Sequence, residues 1–149
     1  MDCIEDYLKR LQKLLEESGA ALVVIHHISD KNPAYGGNPN RLISGASAIA
    51  RNYDTLLALQ SLEIDEEIPV ECADGSEVAA RITFCSRNID GLDPIDVWRK
   101  GTVFTTDTSG LLSMSLLRGE SETKDSRKQR KDILDKMVDA WQREKRSRS

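Results

Sequence analysis

Residues 20–25, AALVVI, form an unbroken apolar run rich in β-branched side chains, and they constrain the fold more than any other stretch. A strand with one wet face alternates apolar and polar residues. A run without alternation needs cover on both faces, as in a parallel sheet. A helix precedes it directly: Ile4, Tyr7, Leu8, Leu11, Leu14 and Leu15 recur at helical spacing and make one apolar stripe. Asp2, Glu5 and Asp6 stand in its first turn, where the helix dipole favours anions, and Gly19 stops it. Helix, glycine turn and buried strand are half of a βαβ unit, so the expected class is α/β. The partner strand of that unit belongs before the helix, which predicts a chain that begins partway through its domain.

The rest of the chain changes character. Residues 29–44 are a polar loop with Asn, Gly and Pro throughout, and loops of such length are usually functional or mobile. A short helix is predicted over 46–51 and a strand over 53–59. Residues 63–75 are an acidic excursion, read as a surface hairpin or loop around Asp74-Gly75. Strands are predicted over 78–85, 95–98, 103–106 and 111–114. Turns at Asp90-Gly91, Lys100-Gly101 and Ser109-Gly110 separate the later ones, which suggests an antiparallel meander. From Gly119 the chain is polar and then helical, with a second apolar stripe of Ile133, Leu134, Met137, Val138 and Trp141. No internal repeat is visible.

Charge divides the chain at the same place. Arg118 onward holds 11 basic and 7 acidic residues, net +4, and the part before it holds 10 basic and 18 acidic, net −8. The reading is therefore a body over residues 1–117 and a basic, partly helical tail over 118–149. Such a tail either contacts an acidic partner such as nucleic acid or is simply solvated. No apolar run is long enough to cross a bilayer, and the acidic, helical N-terminus is not a signal peptide. The three cysteines, Cys3, Cys72 and Cys85, lack metal-type spacing and are odd in number, which points to a reducing cytoplasm rather than a disulfide framework.

His26-His27 is the most conspicuous polar pair. Adjacent strand residues point to opposite faces, and the chain has no further histidine, so one shared metal is not expected. Their position, the C-terminal edge of a buried strand, is where α/β sheets place ligands, and a histidine there hydrogen-bonds a phosphate or an activated water. Two satisfied polar residues at a strand end would look the same.

The segment VVIHHISDKN, the polar loop and then SGASAIARNYDTLLAL resemble the RecA-type P-loop ATPases related to the plasmid RepA-like hexameric replicative helicases. Those proteins have a buried strand ending in His-His, a mobile loop and a small-residue stretch of the kind seen here from Ile43 and Ser44 through Gly45 to Arg51. The layout continues through ITFCSRNIDGLDPIDVW, with Arg87 at a strand end and Gly91 in the turn. There are departures. Asp30 separates Ser29 from Lys31, Ile43 stands where the family often has Arg, with Arg41 as the substitute, and Ser86-Arg87-Asn88 keeps one basic group of the usual Lys-x-Arg pair.

The resemblance implies a partial RecA-like domain with a buried parallel strand, C-terminal antiparallel strands and a helical basic tail. It implies that His26 and His27 lie at the nucleotide, with His27 sensing the γ-phosphate. It also implies that Arg51 or Arg87 acts as the arginine finger that stabilises charge on the transferred phosphoryl group. Lys31 and Arg41 would touch DNA phosphates and Tyr35 would stack a base of single-stranded DNA. Read from the residues alone, Arg51 equally balances a helix dipole and Arg87 equally pairs with Asp90 or Asp93, while a loop of this composition more commonly binds nothing.

What the family requires and this sequence lacks is a P-loop. None of the nine glycines is followed by Lys, so no Gly-Lys-Ser/Thr turn wraps phosphates. The one strongly apolar strand ends in His-His rather than in the magnesium-holding Asp. ATP and Mg2+ are therefore cofactors of a complete enzyme, and none is expected for this chain alone. The expected partners are DNA and either the missing N-terminal half or sister subunits of a homo-oligomeric ring, serving DNA replication or a mobile element. The function expected is a fragment of an ATP-dependent DNA helicase-like ATPase, inactive alone. The alternative is a non-enzymatic nucleic-acid-binding or interaction module that uses the basic tail.

Overall fold

The computed structural model describes residues 3–26, 53–73, 75–76, 78–89 and 92–148. Helix α1 spans Cys3–Ser18. It ends where the Gly19 N–H donates to the Leu15 carbonyl at 2.8 Å, and Gly19 takes the left-handed φ of 65° that a side chain would resist. Leu8, Leu11 and Leu15 of its stripe are half-buried, while Tyr7 and Leu14 are exposed.

Residues 53–148 carry a five-stranded sheet. Its strands are β1 (Thr55–Glu63), β2 (Val78–Ser86), β3 (Ile95–Lys100), β4 (Val103–Thr106) and the two-residue β5 (Leu116–Leu117). The order is β4-β3-β2-β1-β5 and every pairing is antiparallel. The expected meander is therefore present, and β4 occupies the residues its pattern predicted. Helix α2 spans Lys124–Arg148.

Period-two alternation decides which face of the sheet is dry. Ala58, Leu62, Ala79 and Trp98 share one face by register and are buried. Leu111, Leu112 and the α2 residue Leu134 lie against this layer with no accessible surface at all. Met137, Val138 and Trp141 pack beside them, so the second stripe is the lid of the core, while Ile133 at its margin stays exposed. The other face presents Leu57, Leu59, Ile95 and Phe104 to the outside, around buried Ala80 and Val97.

Three expectations need correction. Residues 20–25 are neither helix nor strand, and they are not buried: Val23 is 85% and Ile25 92% exposed. A run apolar on both sides is buried only between neighbouring strands and covering layers, and no described strand pairs with it. The predicted strand over 111–114 is a 3₁₀ turn, Leu111–Met114. Its cause is Asp107, whose carboxylate accepts the N–H groups of Ser109 at 3.0 Å and Leu112 at 2.9 Å. Gly110, at φ 72°, swings the chain into the turn. The acidic excursion is not merely surface. It contains a 3₁₀ turn at Val70–Ala73, and Ile68 and Ala73 enter the core. The predicted helix over 46–51 and the loop over 29–44 lie outside the described residues. Among the described residues, no helix is long and apolar enough to cross a membrane.

Candidate functional site

Arg81, Arg130 and Arg87 differ in what holds them. Arg81 in β2 sits directly opposite Asp96 in β3. Its Nε and Nη2 donate to the two carboxylate oxygens at 2.7 and 3.0 Å, and Nη2 also reaches the Leu112 and Ser113 carbonyls at 3.4 Å. This fork-to-fork pair keeps Arg81 protonated more firmly than usual, through the Asp96 hydrogen bonds, and ties the sheet to the 3₁₀ turn.

Arg130 in α2 is held from two sides. Nη1 donates to Asp65 Oδ2 at 2.8 Å and to the Met114 carbonyl at 3.2 Å, and Nε donates to Glu122 Oε1 at 3.1 Å. Lys131 beside it pairs with Glu67. Burial pulls the Asp65 carboxyl up, but hydrogen bonds from Glu67 and Arg130 outweigh it and hold the group at about 2. Asp65, Glu122, Arg130 and Lys131 line a cleft of about 430 Å³ together with Glu63, Glu120 and Arg127. Arg130 and Lys131 are each paired with a carboxylate, which makes the cleft a clasp between α2 and the loop after β1.

Arg87 is different. It follows β2 directly, and its N–H donates to the Asp54 carbonyl at 3.0 Å, which extends the β1–β2 ladder by one rung. Its side chain is exposed, and its guanidinium lies over the Tyr53 ring, 5.9 Å from the centroid. The Tyr53 hydroxyl is 3.4 Å from Cys85 Sγ. Burial, then the contact with Cys85, push the Tyr53 hydroxyl up to about 12 even though the Arg87 charge works the other way. The ring is therefore neutral. No described carboxylate lies within ion-pair distance of Arg87, so the pairing with Asp93 is absent, and Asp90 is not a described residue.

Of the residues singled out from sequence, the structure places two. His26 is exposed at the end of the extended run, and Arg87 is exposed at the end of β2. His27, Lys31, Tyr35, Arg41 and Arg51 lie outside the described residues. The neighbours of Arg87, namely Tyr53, Asp54 and Cys85, were not anticipated. They meet it through a register, Leu56 opposite Cys85 and Thr55 opposite Ser86, that a long β1–β2 connection does not encode locally.

The basic tail also reads differently once folded. Arg130 and Lys131 face the body. The outer face of α2 alternates Asp125, Lys128, Asp132, Lys136, Asp139 and Arg143 by helical spacing. Positive charge uninterrupted by an acid occurs at residues 127–131, where Arg130 and Lys131 pair with the body, and in the last turn, where Lys145 lies over Trp141 and Arg148 pairs with Glu144. Among the described residues, no group of three or more His, Cys, Asp or Glu side chains is arranged to hold a metal ion. No family model, no curated protein and no solved structure matches this chain.

Proposed function

We propose that this chain supplies the sensor and arginine-finger side of a RecA-type ATPase of the replicative-helicase kind, with the phosphate loop and the magnesium carboxylate lying outside residues 1–149. The observation that carries this reading is Arg87: fixed in backbone, oriented over a neutral ring, exposed, and uncompensated by any described carboxylate. A guanidinium in that state keeps its whole charge for a phosphoryl group arriving from outside, whereas Arg81 and Arg130 have spent theirs on carboxylates. Arg51 is the second candidate for the finger, and His26 and His27 are the proposed phosphate sensors at the nucleotide.

In the complete domain of this proposal, the run over 20–25 takes another state than the exposed one. It becomes the buried parallel strand of the domain once strands flank it and layers cover it, which sets His26-His27 at the sheet edge. In this proposal Lys31, Tyr35 and Arg41 contact single-stranded DNA in a ring of subunits. The rival reading, a nucleic-acid-binding module built on the basic tail, draws less support, because α2 spends two of its cations on the body and alternates charge on its outer face.

Sequencing the coding DNA immediately upstream of the Met1 codon tests the proposal. The expected result is a same-frame Gly-Lys-Ser/Thr loop followed by an apolar strand ending in Asp. A reading frame without either would shift the assignment to partner or DNA binding.

A further inference from the structure

Resting on the reading of Arg87 as a phosphate-directed cation, we propose that Tyr53 is its positioning residue: the ring carries the guanidinium, and the hydroxyl, in contact with Cys85, fixes the ring. The sequence gap between the two residues conceals how directly they are coupled. Arg87 donates its backbone N–H to Asp54, the residue next to Tyr53, and Ser86 pairs with Thr55 one rung further in. Ring and guanidinium thus spring from neighbouring rungs of one ladder. The turn that follows is also pinned, with the Asn88 N–H donating to Ser86 Oγ at 3.3 Å.

Two requirements of an arginine finger conflict in water. The side chain must be held, because an exposed Arg samples many rotamers, and it must keep its charge. A carboxylate meets the first and defeats the second, as Arg81 on Asp96 and Arg130 on Asp65 illustrate. An aromatic face meets both, since it attracts the cation through its quadrupole without neutralising it. That holds only while the phenol is protonated. The Tyr53 hydroxyl, pushed up to about 12 by burial and by Cys85, stays neutral across the working range.

The test uses the full chain, labelled for NMR, with Tyr53→Phe, Tyr53→Leu and Arg87→Ala, and inorganic pyrophosphate as the probe. In the wild type the Arg87 side-chain protons should show upfield ring-current shifts, which needs no variant and survives any folding defect. Arg87 Nε–Hε should be ordered by its heteronuclear NOE, and pyrophosphate should shift it. Tyr53→Phe, which keeps the ring face and loses only the Cys85 contact that fixes it, should leave Arg87 less ordered than the wild type and more ordered than Tyr53→Leu. Tyr53→Leu should lose the order and weaken pyrophosphate binding by about two- to five-fold, the scale of an exposed cation–π contact. Arg87→Ala should abolish the saturable response. Wild-type order and affinity in Tyr53→Leu, or no ring-current shift in the wild type, would overturn the positioning role. A pyrophosphate-insensitive Arg87 whose order still depends on the Tyr53 ring would uphold the contact and overturn the phosphate reading instead.

Discussion

Residues 3–26 and residues 53–148 solve the problem of apolar surface in opposite ways. The second region, although one face of its sheet stays exposed, folds the other into a dry core: Ala79, Leu111, Leu112 and Leu134 have no accessible surface, and α2 is clasped over them by Asp65, Glu122 and Arg130. The first leaves Leu22, Val23, Val24 and Ile25 outside, next to a helix whose Tyr7 and Leu14 are also exposed. Apolar surface left in water weakens a fold and invites association. The contrast separates a body that carries its own core from a segment whose burial depends on what lies beside it. His26, one of the proposed phosphate sensors, belongs to that dependent segment, whereas Arg87 belongs to the body.

The sharpest way to break this comparison is in the core. Leu134→Ala should cost about 4 kcal/mol, for lost transfer energy plus a cavity under the sheet. Denaturant unfolding followed by Trp98 and Trp141 fluorescence measures it, and a loss below about 1 kcal/mol would mean that α2 is not part of the body. Next in size is the clasp. Arg130→Ala strands Asp65 and Glu122, both largely buried, and should cost about 3 kcal/mol in the same assay.

Acid probes the clasp without mutation. The Asp65 carboxyl is held at about 2 in the folded chain against 3.8 as its ordinary value. A lowered folded pKa means the stabilisation is complete above about pH 4 and disappears as pH falls through about 2. The acid-sensitive part should be on the order of 2 kcal/mol. It should vanish from the pH profile of Asp65→Asn. An unchanged profile in that variant would place the acid sensitivity elsewhere.

The smallest effect is predicted in the dependent segment. Val23→Ser should change the stability of the chain by less than about 0.5 kcal/mol, because Val23 is already in water. Sedimentation velocity should show weaker self-association at the same time. A cost of several kcal/mol would show that residues 20–25 are buried in solution and would remove the contrast.

Much of the body was legible in the sequence, and the reasons are local. β4 and most of β2 follow from alternation and β-branched content, and the α2 stripe follows from its 3.6-residue period. The turn at Leu111–Met114 was missed because its determinant, Asp107, acts through backbone N–H groups that a hydropathy pattern does not record. Ile68 was hidden by the acidic residues around it, and hydropathy does not single it out from Ile64 and Val70 of the same stretch, which stay exposed. The ion pairs were not legible at all: Arg130 and Lys131 find Asp65 and Glu67 in a loop on the far side of four strands. The same limit applied to the candidate site. Arg87 was picked out at its strand end, but Tyr53 reaches it only through a register set by tertiary pairing.

The most direct measurement of the central claim is Mg-ATP turnover by the purified chain, alone and mixed with the polypeptide encoded immediately upstream of the Met1 codon. The prediction is no turnover from the chain alone, and turnover in the mixture that falls by about 10³-fold or more in Arg87→Ala or in Arg51→Ala, whichever is the finger. Turnover by the chain alone that Arg51→Ala abolishes, or a mixture indifferent to both substitutions, would contradict it.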